Sequence, residues 1–122
     1  LEDVLGGGVV EALGRTARAL REDCDAIDEL ARHALIDAVT ADGGLDITRL
    51  TAVPDALRRR IIREWLISGG ASGLTDTQIR AANRLVTAWR GQGGVAVSSS
   101  LRRQRLIAGR HDGVLRLHVE PV

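Results

Sequence analysis

The strongest hydrophobic pattern of the chain lies in residues 9–41, where apolar positions recur at alternating steps of three and four. This spacing places them on one stripe of a long α-helix. The opposite face carries charged residues, which is typical of a solvent-exposed helix face; they are Arg15, Arg18, Glu22, Asp25, Glu29 and Arg32. Cys24 falls on the apolar stripe, so we expect a buried and unreactive thiol there. The stripe comprises Val10, Leu13, Ala17, Leu20, Cys24, Ile27, Ala31, Ala34 and Ala38.

Two shorter helices are predicted after a glycine pair, Gly43-Gly44, and a short apolar connector. Pro54 fits the first position of the second helix, because that position needs no backbone N–H. The spacing of Thr75 and Gln78 is that of a capping box, which predicts a third helix ending near Gly91. Trp65 and Trp89 lie on the apolar stripes of these helices, so we expect both in the core.

The hydrophobic period changes after the third helix, from the helical period to alternation typical of strands. The turn dipeptide Asp112-Gly113 predicts a hairpin between the last two of three antiparallel strands, 95–97, 101–108 and 114–119. The predicted fold class is therefore mainly α with a small C-terminal antiparallel β-sheet. It consists of a long linker helix (1–44), then a helix pair and about three short strands (45–122).

Composition limits the classes of function. No apolar run approaches the roughly 20 residues of a membrane helix, so we expect no contact with a membrane. The single cysteine is compatible with the cytoplasm, and the three histidines lack metal-ligand spacing. No Ser/His/Asp or Cys/His arrangement is present, so we expect no catalytic residue and no metal ion in this chain. The chain contains no methionine, and we interpret it as the C-terminal part of a longer protein.

Charge is divided unevenly along the chain. Residues 1–57 hold twelve acidic residues and five arginines, whereas residues 58–122 hold twelve arginines and four acidic residues. Clustered arginines release counterions from phosphate and bind it in a bidentate manner, which favours a polyanion as partner. The candidate contacts lie on the second helix, the third helix and the sheet: Arg59, Arg60, Arg63, Arg80, Arg84, Arg102, Arg103 and Arg105.

Three alternatives stay open on the residues alone. The arginines could form only a solvated surface. The second and third helices could form a DNA-binding pair, although the connection 68–74 is longer than the usual turn of such motifs. The 9–41 helix could instead serve as a dimerisation module. The glycine-rich segment Ser68–Gly73 is similar to an ATP-binding phosphate loop, but it follows a helix and not a strand, so we interpret it as a linker.

Several segments together resemble a known family. They are Leu1-Glu2-Asp3 before the long helix, VPDALRRRIIREWL at 53–66, LTDTQI at 74–79, LRRQR at 101–105 and LRL at 115–117. In these segments the chain is similar to the C-terminal region of tRNA(Ile)-lysidine synthetases, formerly labelled cell-cycle proteins. The similarity spans nearly the whole chain, and residues 54–79 are its most specific part.

The resemblance implies a function and its partners. Enzymes of this family use ATP and Mg to adenylate the wobble cytidine of an isoleucine tRNA, and free lysine then displaces AMP. That chemistry belongs to an N-terminal catalytic domain of the same protein. The resemblance implies that the present chain binds isoleucine tRNA, contacts that catalytic domain and holds no cofactor of its own. A homodimer through the 9–41 helix is a further expected partner arrangement.

Overall fold

The computed structural model describes residues 2–122, with side chains described from residue 8 onward. Leu1, which belongs to one of the segments that carry the resemblance, lies outside the described residues. The described residues form four helices and a four-stranded antiparallel sheet, which confirms the predicted fold class. The elements are α1 (Glu2–Ala38), β1 (Leu45–Asp46), α2 (Ile47–Thr51), α3 (Asp55–Ser68), α4 (Asp76–Thr87), β2 (Val95–Val97), β3 (Gln104–His111) and β4 (Val114–Pro121).

From residue 8 onward, where side chains are described, the long helix α1 packs on the rest of the fold through its C-terminal half. Ala31 and Ala38 are buried in the core, and their small side chains allow close approach of the neighbouring elements. Leu13 and Leu20 remain 63% and 59% exposed, although they belong to the same stripe. The prediction of a buried Cys24 is wrong, because its thiol lies in the exposed part of the helix. Helical periodicity reports which residues share a face, whereas burial requires an element packed against that face.

The apolar connector contains two elements that sequence analysis missed. Leu45 and Asp46 form β1, and the Asp46 carboxylate caps α2 by accepting hydrogen bonds from the backbone N–H groups of Thr48 and Arg49. Leu45 and Leu50 are fully buried. The predicted three strands are therefore four. The turn before β1 contains Gly43 with a φ of 89°, a conformation that favours glycine.

The helix pair follows the prediction closely, with shifted ends. Pro54 is the N-cap of α3 and not its first helical residue. The capping box of α4 is confirmed, since the Thr75 hydroxyl accepts from the Gln78 N–H while the Gln78 side chain accepts from the Thr75 N–H. Trp65 is buried, and its indole N–H donates to the Gly43 carbonyl over 2.8 Å. Trp65 therefore joins α3 to the turn after α1.

The end of α4 contradicts the prediction. The helix ends at Thr87, so Trp89 lies beyond the buried stripe and is 39% exposed. Strand β3 begins at Gln104, so Arg102 and Arg103 precede it instead of alternating within it. Arg103 has a φ of 58°, in the left-handed region.

The sheet has the order β1-β4-β3-β2, with all neighbours antiparallel. Asp112 and Gly113 have φ values of 53° and 76°, as the predicted hairpin turn requires. Leu106, Ala108 and Leu115 belong to the core that the sheet shares with the helices. Because side chains alternate between faces, Arg105, Ile107 and Gly109 lie on the opposite face, which we call the outer face. Their partners on β4 are Glu120, His118 and Arg116.

Candidate nucleic-acid interface

The arginine run on α3 divides into structural and exposed members. Arg58 is buried, and its guanidinium donates to the carbonyl oxygens of Leu50 and Val53, each over 2.8 Å. It also pairs with Asp55 at 3.1 Å. Arg58 is therefore committed to the fold. The next arginines, Arg59 and Arg60, are only partly buried, so both residues are partly accessible to solvent.

Asp55 is the ionic centre at the start of α3. Its Oδ1 accepts from the Asn83 amide of α4 over 2.9 Å, and its Oδ2 lies 3.1 Å from Arg59 Nε. The hydrogen bond from Asn83 and the guanidinium groups of Arg59 and Arg58 lower the pKa of Asp55 below its ordinary value of 3.8. Arg59 Nε faces Asp55 without hydrogen-bond alignment. Asp55 therefore fixes α3 against α4 and leaves the Arg59 guanidinium incompletely satisfied.

Three of the predicted arginines line one groove between α1, α3 and α4. The groove has a volume of about 450 Å³, and Ile27, Leu74 and Ile79 form its apolar part. Arg60 reaches across it to Asp28 of α1 at 2.8 Å, and Arg63 lies 3.4 Å from Glu64. We call this feature the arginine groove; its basic residues are Arg59, Arg60 and Arg63.

Arg80 lies at the edge of the arginine groove. Its guanidinium binds Asp76, a groove residue, over 2.6 Å, and this hydrogen bond raises the pKa of Arg80. Arg80 also contributes to the low pKa of Asp55 through its positive charge. Arg84 lies one turn further along α4 and is exposed. The structure therefore brings Arg59, Arg60, Arg63 and Arg80 together.

The basic residues near the sheet are placed elsewhere. Arg102 and Arg103 are exposed in the connection before β3. Arg105 is exposed on the outer face of the sheet, directly opposite Glu120 of β4. That face points away from the core, so Arg105 does not line the arginine groove.

Sequence analysis missed a second pocket beside Trp89. The Arg110 guanidinium carbon lies 5.2 Å from the centre of the Trp89 ring, at cation–π distance. The pocket of about 790 Å³ is bounded by the 91–94 turn and by outer-face residues that include Arg116 and His118. The only sequence signal for this pocket was the glycine-rich GQGG at 91–94, because glycine lets other groups approach the backbone closely.

The glycine-rich segment after α3 is a helix end and not a phosphate loop. The backbone N–H groups of Gly69, Gly70 and Ala71 donate to carbonyls of the last helical turn. The Ser72 N–H donates to the Ser98 carbonyl over 2.9 Å. A phosphate loop needs free N–H groups at a helix N-terminus, so the residues of this segment do not fit ATP. This result confirms the interpretation of Ser68–Gly73 as a linker.

The described residues contain neither a candidate metal cluster nor a membrane-spanning helix. Within residues 2–122, no cluster of three His, Cys, Asp or Glu side chains has an arrangement that could hold a metal ion. In the same part of the chain, no helix has the length and apolar character to cross a membrane.

Comparison with known proteins identifies relatives over the whole chain. The tRNA(Ile)-lysidine synthase of Mycobacterium tuberculosis (strain CDC 1551 / Oshkosh) is 66% identical over 125 residues, covering 100% of this chain and 39% of the relative. The enzyme of the same name from Mycobacterium leprae (strain TN) is 66% identical over 122 residues and covers 100% and 38%. That of Rhodococcus erythropolis is 52% identical over 120 residues and covers 98% and 37%. The chain therefore spans about two-fifths of the length of these curated relatives.

The family model of the TilS substrate binding domain matches residues 45–106. This range begins at β1 and includes α2, α3, α4, β2 and the first part of β3. It therefore contains the ionic centre at Asp55 and all the basic residues of the arginine groove. The family inferred from the sequence is confirmed. The match covers just over half of the 122 residues of this chain. The chain therefore belongs to the TilS substrate binding domain family.

Proposed function

We propose that this chain is the tRNA-binding part of a cytoplasmic tRNA(Ile)-lysidine synthase. The single observation that carries the proposal is the arginine groove, which gathers Arg59, Arg60 and Arg63 within a domain of this family. The names of the relatives indicate the reaction, in which lysine is attached to an isoleucine tRNA. By this proposal the reaction uses ATP and Mg to activate the wobble cytidine, and the present residues hold the tRNA in place.

The arginine groove suits phosphate because its cations are only weakly engaged. The side chains of Arg60 and Arg63 are 35% and 43% exposed, and each pairs with a single carboxylate. Partly exposed ion pairs of this kind contribute less than about 1 kcal/mol. A phosphate can therefore replace Asp28 or Glu64 and form a bidentate contact with the guanidinium. Such contacts position an RNA backbone, whereas base contacts provide specificity.

The domain division follows from this assignment. We propose residues 1–44 as a linking helix and residues 45–122 as the tRNA-binding domain. The backbone N–H groups of Gly69, Gly70, Ala71 and Ser72 are hydrogen-bonded within the protein, so this connection does not fit ATP. ATP and Mg would bind to the catalytic domain of the longer protein. The chain's own task is to bind the tRNA and to orient it toward that domain.

The exposed stripe of α1 also fits this arrangement. Val10, Leu13 and Leu20 are each more than half exposed, which leaves a continuous apolar face without a partner among the described residues. We propose that the catalytic domain of the same protein covers this face, because the relatives are more than twice as long as the chain. A homodimer through the 9–41 helix is the alternative partner for the same surface.

A salt titration tests the tRNA assignment. Alanine at Arg59, Arg60 and Arg63 together should weaken binding of isoleucine tRNA and reduce the slope of log affinity against log salt by about 2 to 3, because three phosphate contacts are lost. Filter binding between 50 and 200 mM salt measures this slope.

The matched control removes the same charge from α1, where Arg15, Arg18 and Arg21 are exposed, do not line the groove and precede its α1 residue Ile27 along the helix. Alanine at these three positions should leave the slope nearly unchanged. An unchanged slope in the groove variant, or an equal change in both variants, contradicts the assignment. Competition by duplex DNA as effective as that by folded tRNA would favour a DNA-binding helix pair instead.

A further inference from the structure

Trp89 is a rigid aromatic surface that remains open to solvent. It follows the end of α4 and keeps 39% of its surface exposed, whereas Trp65 is only 4% exposed. Arg110 holds one side of the ring, since its guanidinium stacks at 5.2 Å and donates to the Leu85 carbonyl over 3.0 Å. An exposed and immobilised indole offers a flat apolar surface at low entropic cost. This is the property that nucleic-acid-binding proteins use to stack bases.

Gly93 and Gly94 belong to the turn that bounds the pocket beside Trp89. A Cβ on Gly94 would lie 2.4 Å from Ile107 Cγ2 and 3.0 Å from the Ala108 carbonyl, so the turn packs directly on the sheet. A Cβ on Gly93 would meet no atom within 4 Å, so its backbone is open to a ligand. The pocket volume of about 790 Å³ is within the range of pockets that enclose small ligands.

The charges of the pocket match a phosphate. Arg110 and Arg116 line it, and Glu120 is the one carboxylate among its lining residues in the described chain. Arg116 is ion-paired with the exposed Asp42, which does not line the pocket, so a phosphate bound by Arg116 would replace or share this carboxylate. Arg105 continues the same outer face beyond the pocket. A stacking surface beside clustered guanidinium groups is complementary to a nucleotide.

We propose that the Trp89 pocket binds one unpaired nucleotide of an RNA, with the base stacked on the Trp89 ring and the phosphate held by Arg116. The base must be unpaired, because both faces of a base inside a helix are already stacked on their neighbours. An RNA chain fits better than a free nucleotide, because Arg105 extends the basic surface along β3. The proposal rests on the tRNA binding proposed above and adds a second contact, whose lining residues are separate from those of the arginine groove.

Intrinsic fluorescence isolates this site. The chain has two tryptophans and no tyrosine or phenylalanine, so all its emission comes from Trp65 and Trp89. A single-stranded hexamer of adenylate should quench the wild-type chain, and the quenching should disappear in Trp89→Phe. In anisotropy titrations with the labelled hexamer, Trp89→Ala should bind about tenfold more weakly, as expected for the loss of one stacked base. Trp89→Phe should stay within threefold of wild type, since it keeps an aromatic ring.

The matched control is Ile67→Ala, because Ile67 has a similar exposure of 42% and does not line the pocket. It should bind the hexamer as the wild type does. Equal affinity of Trp89→Ala and wild type would overturn the proposal. So would equally tight binding of a fully paired RNA stem, or of AMP alone. If the groove variant shows the reduced salt slope with tRNA while Trp89→Ala changes nothing, only the pocket proposal fails. The converse result would reject the groove and retain the pocket.

Discussion

Replacing Arg58 by alanine is expected to lower the free energy of unfolding by about 3 to 4 kcal/mol. Arg58 is 8% exposed, and it donates hydrogen bonds of 2.8 Å to the carbonyls of Leu50 and Val53. Each bond from a charged donor contributes about 1.5 kcal/mol or more, so two bonds account for about 3 kcal/mol. The pair with the half-exposed Asp55 adds little, because solvent screens it.

The expected loss is large because Arg58 connects two elements. Its acceptors lie in α2 and in the link between α2 and α3, while its own backbone belongs to α3. Without the guanidinium, the two carbonyls are left with reduced hydrogen bonding in a poorly hydrated region. Arg58→Lys keeps the charge but cannot satisfy both acceptors with the planar geometry of arginine. It should therefore fall between the wild type and the alanine variant.

Urea unfolding followed by tryptophan emission measures this loss, because Trp65 is buried next to the affected elements. Arg84→Ala is the matched control, since Arg84 is exposed on the neighbouring helix. It should change the free energy of unfolding by no more than about 0.5 kcal/mol. A loss below about 1 kcal/mol for Arg58→Ala, or a loss equal to that of the control, would refute the structural role of Arg58.

Two further predictions concern an exposed ion pair and the surface of α1. Hydrogen bonds from Thr40 and Arg116 lower the pKa of Asp42 from 3.8 to about 2, so the stability they provide is present above about pH 4 and is lost as the pH falls toward 2. Urea midpoints of wild type and Asp42→Asn should therefore converge at acidic pH; a constant difference would contradict this assignment. In sedimentation, the chain alone should associate weakly and without a fixed stoichiometry through its exposed stripe, and Leu13→Glu with Leu20→Glu should prevent this. A discrete dimer that the double variant abolishes would favour the homodimer.

The elements that sequence predicted well are those with a complete local signal. The side chains of Thr75 and Gln78 each accept a hydrogen bond from the backbone N–H of the other residue. The start of α4 is therefore determined within four residues. Asp112 and Gly113 both adopt positive φ, which fixes the hairpin between β3 and β4 without reference to other elements. The long helix is equally local, because its periodicity extends over several turns.

The elements that sequence missed depend on distant contacts. Strand β1 has two residues and exists because Leu45 pairs with Leu115 of β4. Helix α2 has five residues, too few for a periodic pattern, and its cap Asp46 is positioned by that same pairing. Trp89 was assigned to the core because the helical stripe was extended past Thr87. Because α4 ends about half a turn before Trp89, this residue is exposed and not part of the core.

In the candidate site, too, sequence predicts the local features and misses those that depend on distant contacts. Sequence identifies arginine as the basic residue and locates the run 58–63, but it does not specify the partner of each side chain. Arg58 and Arg60 are two positions apart, yet the first is buried against carbonyls and the second reaches Asp28 of α1. That difference depends on how α1 crosses α3. The proposal that the arginines bind tRNA is therefore tested by substituting the three arginines of the groove, and not by counting the arginines of the chain.

The pairing of β1 with β4 has a consequence for the order of folding during synthesis. Leu45 leaves the ribosome early, but its partner Leu115 emerges only when nearly the whole domain has been made. Until then Leu45 and Leu50, both fully buried in the finished fold, have no sheet to cover them. Contacts between such distant positions form slowly, and the incomplete chain exposes apolar surface meanwhile. The domain should thus fold in one late step, and a fragment limited to residues 45–106 would lack the strand that joins β1 to β3.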